Sequence, residues 1–385
     1  MRILHVTDVY RPQVGGIEIF VDDLARQQAA AGHDVTVLTA TQDREPAVAG
    51  SLTVVRASPA RPGAFRLLPA RQTVALGEYD VVHGHLSVLS PFSTVVAREA
   101  VTAGVPTLLT VHSMWGGRTA VVRAAGALAG WNQWPAVWTA VSEAAAVDMR
   151  RVIRTRPVVV VPNAVEVDWW RETGRGPITA ARKDVTLISV MRLAGRKRPL
   201  ALARMLRDVR RSVPQTIPLK AVIVGDGPLE GRLRSTIERF KMTDWVSMPG
   251  CLSRAAIRDR YRTADLYLAP AHRESFGIAA LEARAAGLPV LAMRSGGVGE
   301  FIQDGVEGLL CDDDRGMARA VAHLVTQRGA LAGMAARNTA FVPNLGWDVV
   351  LDRFSRAYAL AADGQLANRS RRTSLAVPAA VFDNG

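Results

Sequence analysis

Two carboxylates and two cations in the second half of the chain stand where chemistry could be done. Glu274 and Glu282 lie eight residues apart across a Ser-Phe-Gly turn, in HRESFGIAALEARAAGLPV at 272–290. Arg192 and Lys197 bracket a glycine in MRLAGRKRP at 191–199. A carboxylate repels phosphate but accepts hydrogen bonds from two hydroxyls. Cations, and backbone amides at the start of a helix, favour an anion. Together they suit a ligand with phosphate at one end and hydroxyls at the other, as in a sugar nucleotide. A Glu-x7-Glu pair alone is a weak signal, because many helices carry two glutamates. It gains weight here from the turn before it, the Ala-Gly-Leu-Pro-Val exit after it, and the Gly296-Gly297 turn before Glu300.

The elements that must hold these residues repeat one unit: apolar strand, small-residue turn, helix. Ala264 to Ala269 reads as a buried strand closed by Pro270, and Glu274 or Ser275 is expected to cap the helix through 279–286. Gly287 and Pro289 end that helix, 289–293 is a strand, and a second short helix is expected from Val298. Arg2–Thr7 is a strand broken by His5, followed by Gly15-Gly16 and a helix with Ile17, Phe20, Val21 and Leu24 on one stripe. Strands are also expected at 35–39, 54–56, 80–83, 106–111, 138–142 and 158–161. The strand at 106–111 ends in His112 and the one at 80–83 in His83-Gly84-His85. Two histidines at i,i+2 suggest a metal, but no third ligand is visible nearby, so they read as side chains at a strand tip. Strand 185–190 leads into Arg192, Arg196, Lys197 and Arg198, an anion cradle. Strand 219–224 leads into Gly225-Asp226-Gly227-Pro228, part of a dinucleotide fingerprint running to Gly231. Further strands are expected at 245–248 and 307–311, with a helix after Asp312-Asp313-Asp314 and an amphipathic helix at 347–362. In such α/β sheets the ligand lies at the carboxyl ends of the strands.

Gly, Pro and charge at 171–183 mark a linker, so the expected domains are 1–172 and 183–345. A C-terminal helix is expected at 346–363 and a polar tail at 365–385. The 385 residues suffice for two cores. No apolar run spans a bilayer, and MRILHVTDVY reads as a strand rather than a signal peptide. Cys251 and Cys311 form no framework, which fits a reduced cytoplasm. The net charge of +13 fits a phosphorylated substrate or an anionic membrane; no nucleic-acid module is visible. The basic stretch 59–72 and the amphipathic helix within 113–135 bring Arg66, Arg71, Arg118 and Arg123 near several tryptophans. With the run Arg150, Arg151 and Arg154 they suggest a surface for anionic lipid, against a plain solvated face.

These motifs resemble glycosyltransferase family 4. The resemblance rests on ADLYLAP, ESFGIAALEA, AGLPV, GGVGE and DGVEGLL between 264 and 310, with Gly15-Gly16-x-Glu18, Arg192, Lys197 and Gly225-Asp226-Gly227-Pro228 in the same order. It implies the GT-B fold: two Rossmann-like domains facing across a cleft, the last helix crossing back to the first. It implies a nucleotide-diphosphate sugar donor, GDP-mannose or UDP-glucose or UDP-N-acetylglucosamine, held by the second domain. It implies a hydroxyl acceptor, lipid-linked or free, on the first domain, retention of configuration, and no cofactor or bound metal. On this pattern Arg192 and Lys197 hold the diphosphate and Glu274 binds the sugar hydroxyls, beside the amides of Phe276 and Gly277. Glu282 grips the ribose, and Ser275, Ile278 and Gly225 line the donor site. Gly15 and Gly16 offer backbone to the phosphate, and His112 lies near the reacting sugar. Arg198-Pro199 replaces the frequent Lys-Gly, with no loss of the phosphate site expected.

Three other functions would use part of this pattern. Glycosidase carboxyls stand about 5–9.5 Å apart, whereas eight helical residues span about 12 Å, so the glutamates suit two ends of one ligand. A Rossmann oxidoreductase would need the complete fingerprint and an acidic residue about 20 positions on. A non-catalytic nucleotide-sugar sensor would share the whole binding pattern.

Overall fold

The computed structural model describes residues 1–13, 15–43, 48–57, 74–172, 184–341 and 343–375. They divide into two compact units, each an α/β layer structure around one sheet. The first unit comprises Met1–Val141, Ala145–Val161 and the chain from Val350 onward.

Its elements are β1 (Arg2–Thr7), α1 (Gly16–Ala30), β2 (Asp34–Thr39), β3 (Val48–Ala49), β4 (Leu52–Arg56) and β5 (Val81–Leu86). They continue with α2 (Pro91–Thr102), β6 (Thr107–Val111), α3 (Thr119–Leu128), β7 (Val137–Ala140), α4 (Glu143–Val152) and β8 (Val158–Val160). The strand order is β3-β4-β2-β1-β5-β6-β7-β8, all parallel except the short β3. Helices on both faces explain why β1, β5 and β6 are buried along nearly their whole length. Leu4, Val6, Leu38, Val82 and Val96 form part of this core.

The second unit holds α5 (Val167–Arg171), β9 (Val185–Val190), α6 (Pro199–Ser212), β10 (Leu219–Val224), α7 (Glu230–Arg239) and β11 (Val246–Gly250). It continues with α8 (Arg254–Thr263), β12 (Leu266–Ala269), α9 (Ile278–Ala285), β13 (Val290–Met293), β14 (Gly308–Cys311), α10 (Asp314–Thr326) and α11 (Arg328–Ala340). Its sheet is wholly parallel, ordered β11-β10-β9-β12-β13-β14. Leu187, Leu202, Leu206, Leu233 and Leu324 pack in its core. The two units are Rossmann-like, the pair of sheets that defines the GT-B plan. The last helix, α12 (Trp347–Leu375), groups with the first unit from Val350 onward.

Several expectations are corrected. The strand expected at 80–83 runs on to Leu86, so His83 and His85 lie inside it, not at its tip. Neither Glu274 nor Ser275 caps α9: Gly277 is its N-cap, and no side chain contributes. The helix expected from Val298 is a single 3-10 turn, Gly297–Glu300. The last helix extends past 362, so residues 365–375 are helical; Ala361 and Gln365 carry its buried face one turn further. Residues 59–72, with Arg66 and Arg71, the linker stretch 173–183 and the tail residues 376–385 lie outside the described residues.

Candidate functional site

In the second unit, β9 ends in a loop that turns back against the loop after β10. The amide of Met191 donates to the Val224 carbonyl at 3.0 Å, and that of Leu193 to the Asp226 carbonyl at 2.6 Å. Gly225 makes the approach possible: its φ is +126°, and a Cβ there would stand 2.0 Å from the Met191 carbonyl oxygen. The side chains of the β9 loop then part company. Arg192 is exposed and has no side-chain partner among the described residues. Lys197 reaches Glu274, Nζ to Oε2, at 2.5 Å. Arg198 leaves the expected cradle: it adopts φ +61° at the N-cap of α6 and pairs with both carboxylate oxygens of Asp314 at 2.8 and 2.9 Å. Its NH1 also donates to the Pro270 carbonyl at 3.0 Å. A bidentate pair of this kind fixes a guanidinium in place, so Arg198 braces β12 against α10 rather than waiting for an anion.

The turn after β12 is held from below. Phe276 is buried against Phe301 with ring centroids 5.2 Å apart, and the Gly297 amide donates to the Glu274 carbonyl at 2.8 Å. Gly277 adopts φ +96°. The amides of Phe276 and Gly277 donate to no group among the described residues, and with Ile278 they open α9. Two free amides at a helix start, beside Lys197, make a seat for an anion. Ser275 is buried. Glu282, one face of α9 along, is 6% exposed and lies 3.4 Å from Arg254. Beneath Glu274, the Tyr267 hydroxyl donates to the Val190 carbonyl at 3.0 Å; burial first, and then the Glu274 charge, push that phenol well above its usual range.

In the first unit, Gly15 and Gly16 precede and open α1, and the buried Glu18 folds back on Gly15, a Cβ there meeting Glu18 Oε2 at 2.5 Å. His112 directly follows β6. It is 8% exposed, and burial lowers its pKa to about 3. Its Nε2 lies 3.0 Å from Nδ1 of His85. The third histidine that looked absent is His5 on β1, in register with His83 on the adjacent strand. The apolar run broken at His5 was the available signal; strand adjacency was not readable from it.

The chain's two halves each match a known family: residues 14–169 match Glycosyltransferase Family 4, and residues 171–339 match Glycosyl transferases group 1. A D-inositol 3-phosphate glycosyltransferase of Thermobispora bispora is 28% identical over 413 residues, covering 94% of each chain. A phosphatidylinositol N-acetylglucosaminyltransferase polypeptide of Arabidopsis thaliana is 28% identical over 341 residues, covering 83% of this chain and 73% of its own. Among solved structures, Anabaena HepE in complex with UDP and glucose superposes with a TM-score of 0.72 at 18% identity, covering 93% of this chain and 99% of that one. A sucrose-phosphate synthase from Thermosynechococcus elongatus gives the same score and identity over 93% and 98%. With two Rossmann-like units, family matches over both and relatives along nearly the whole length, the chain belongs to glycosyltransferase family 4 and is a glycosyltransferase of the GT-B fold.

Proposed function

We propose that the enzyme moves a hexose from a nucleotide-diphosphate sugar to a hydroxyl acceptor, with retention of anomeric configuration and without a bound metal ion. The observation that carries this is the juxtaposition of Lys197, Glu274 and the two free amides at the start of α9, with Arg192 exposed nearby. Lys197 and Arg192 supply the positive charge that a leaving diphosphate needs. Glu274 takes the sugar hydroxyls and Glu282 the ribose. The bond from the anomeric carbon to the phosphate oxygen breaks as the acceptor oxygen bonds to the same face. The acceptor proton passes to the departing phosphate, so no protein base is consumed. Lys197 and Glu274 pair with each other; a donor would separate them, giving each its own end.

HepE is described with UDP-glucose, and the Arabidopsis and Thermobispora relatives are named for N-acetylglucosamine and for an inositol phosphate. These names favour a UDP-linked hexose over GDP-mannose, and a cyclitol hydroxyl as acceptor. A thermal-shift series with UDP-N-acetylglucosamine, UDP-glucose and GDP-mannose tests the donor, since a bound ligand stabilises by mass action. NMR of the product anomer, with and without EDTA, then tests retention and metal independence. No stabilisation by any of the three would sink the reading. Free sugar released as fast without acceptor as with it would make the enzyme a hydrolase.

No helix among the described residues is long and apolar enough to cross a membrane. On α3, Val121 and Leu128 are 70% and 91% exposed beside the exposed Arg118 and Arg123. We place this helix against an anionic, cytoplasmic membrane face, where a lipid-linked acceptor would be found. Vesicle co-sedimentation that ignores anionic lipid content would remove that placement.

A further inference from the structure

We infer that Gln28 on α1 and Tyr358 on α12 set the tautomer of His112 through a chain of buried hydrogen bonds, so that His112 offers an unprotonated Nδ1 to a substrate hydroxyl. Four of the chain's seven histidines, His5, His83, His85 and His112, take part. His112 Nε2 lies 3.0 Å from His85 Nδ1, and His85 Nε2 lies 2.9 Å from His5 Nδ1. His5 Nε2 lies 2.6 Å from the Gln28 carbonyl oxygen, and the Gln28 amide nitrogen donates to the Tyr358 hydroxyl at 2.9 Å. That hydroxyl is 3.0 Å from His83 Nδ1, and His83 Nε2 is 2.7 Å from the Thr110 hydroxyl. Thr110 meets Thr139 at 2.6 Å, and Thr139 donates to the Leu109 carbonyl at 3.4 Å.

A carbonyl only accepts, so the direction of the whole chain follows from its end. Thr139 donates its hydroxyl hydrogen bond to the Leu109 carbonyl and accepts one from Thr110. Thr110 then accepts from His83 Nε2–H, leaving His83 Nδ1 to accept from Tyr358. Tyr358 accepts from the Gln28 amide, whose oxygen accepts from His5 Nε2–H. His5 Nδ1 accepts from His85 Nε2–H, and His85 Nδ1 accepts from His112 Nε2–H. The orientation of the Gln28 amide and the Leu109 carbonyl agree on this one polarity. Nδ1 of His112 is left as a lone pair, and no group among the described residues pairs with it. The scheme requires neutral rings, and burial supplies them: every member but His112 is at most 4% exposed, and the His5 and His112 pKa values fall to about 4 and 3. His5, His83 and His85 bring ring nitrogens within 4.8 Å of one another, as metal ligands would. Each of those nitrogens is already paired, and 2.9 Å between two of them is a hydrogen-bond distance.

The use of that lone pair rests on the transferase reading, while the chain of bonds does not, and the test separates them. Long-range proton–nitrogen NMR of the full chain, labelled in histidine, reads each tautomer directly; His112→Asn assigns the signals of residue 112. The expected pattern is a protonated Nε2 and a bare Nδ1, unchanged from pH 8 to pH 5. A protonated Nδ1, a mixture or an imidazolium there overturns the inference. Tyr358→Phe removes one hydroxyl with little change of shape and frees the Gln28 amide to turn over. It should convert His112 to a mixture of tautomers from across the core. It should also lower kcat roughly tenfold with donor KM unchanged, by analogy with the low end of what the hydrogen-bond partner behind a metal-bound histidine is worth. An unaltered His112 spectrum in this variant overturns the inference, as does a zinc-induced shift of the His5, His83 and His85 nitrogens. A bare Nδ1 together with full transfer by His112→Ala would leave the relay standing and remove its catalytic meaning.

Discussion

Lys197 is the residue on which the proposed chemistry leans hardest. Its side chain is 26% exposed and its ammonium meets Glu274 at 2.5 Å, so its removal does two things. It takes away a charge from the developing diphosphate, typically worth about 2.7–4 kcal/mol in the transition state. It also leaves the Glu274 carboxylate, on a side chain that is 17% exposed, without its cation. Lys197→Ala should therefore lower kcat/KM about a hundredfold or more, with Lys197→Arg recovering part of it by restoring charge without the same reach. Steady-state kinetics with the donor identified by thermal shift decide this; a loss below threefold for the alanine variant would assign Lys197 a purely structural place. Glu282, buried beside Arg254, and Arg192, exposed and without a side-chain partner among the described residues, sit at opposite extremes. An alanine at Arg192 breaks no side-chain contact among the described residues, so its kinetic effect reads the loss of that charge rather than a loss of folding.

At the scale of elements, the proposed donor site depends on turns that only glycine can make at these positions. Gly277 is the clearest case: at φ +96° an added Cβ would stand 2.6 Å from Val298 Cγ2 and 3.3 Å from Glu274 Cγ. Gly277→Ala should cost about 1–3 kcal/mol from the left-handed backbone alone and displace Glu274 as the turn opens. The proper control is Gly231→Ala on α7, where nothing lies within 4 Å of the new methyl and the backbone is helical. There alanine should be neutral or stabilising by about 0.5–1 kcal/mol. Melting temperature and kcat/KM should fall together at 277 and neither at 231; intact activity at 277 would show that the free amides are not used. This unit was legible because its signals are local. Apolar runs gave β9, β10, β12 and β13, and glycine with proline gave the exit of α9 at Gly287. The fate of Arg198 was not legible, because its partner Asp314 is far along the chain and meets it only once β12, β13 and β14 are laid side by side. The same holds for His5, which becomes a partner of His85 only through parallel pairing of β1 with β5. Sequence shows what a strand contains; it does not show which strand lies next to it.

For the molecule as a whole, the two units differ in how they should answer to acid. Burial depresses the folded-state pKa of His5 to about 4 and of His112 to about 3. It holds His83 and His85 well below the ordinary histidine value, with the neighbouring imidazoles adding to the effect. All four are in the first unit. Unfolded, each titrates near pH 6.5. The stabilisation is thus complete above that pH, and it is lost as pH falls from 6.5 towards 4, because the unfolded chain then takes up protons that the folded chain refuses. Each such histidine contributes at most about 1.4 kcal/mol per pH unit in that window. Two of them at pH 5 already remove about 4 kcal/mol, against a typical domain margin of about 5–15 kcal/mol. Asp8, whose carboxyl burial pushes upward, acts in the opposite sense and offsets part of the loss. The second unit's histidines, His272 and His323, are not buried. Hydrogen exchange resolved by peptide at pH 7.5 and pH 5, corrected for intrinsic rates, should show β1, β5 and β6 losing protection while β9, β10 and β12 keep theirs. Equal loss in both sheets would mean that the histidine cluster is not what limits the protein in acid. A first unit fully protected at pH 5 would mean that its imidazoles find protons without unfolding.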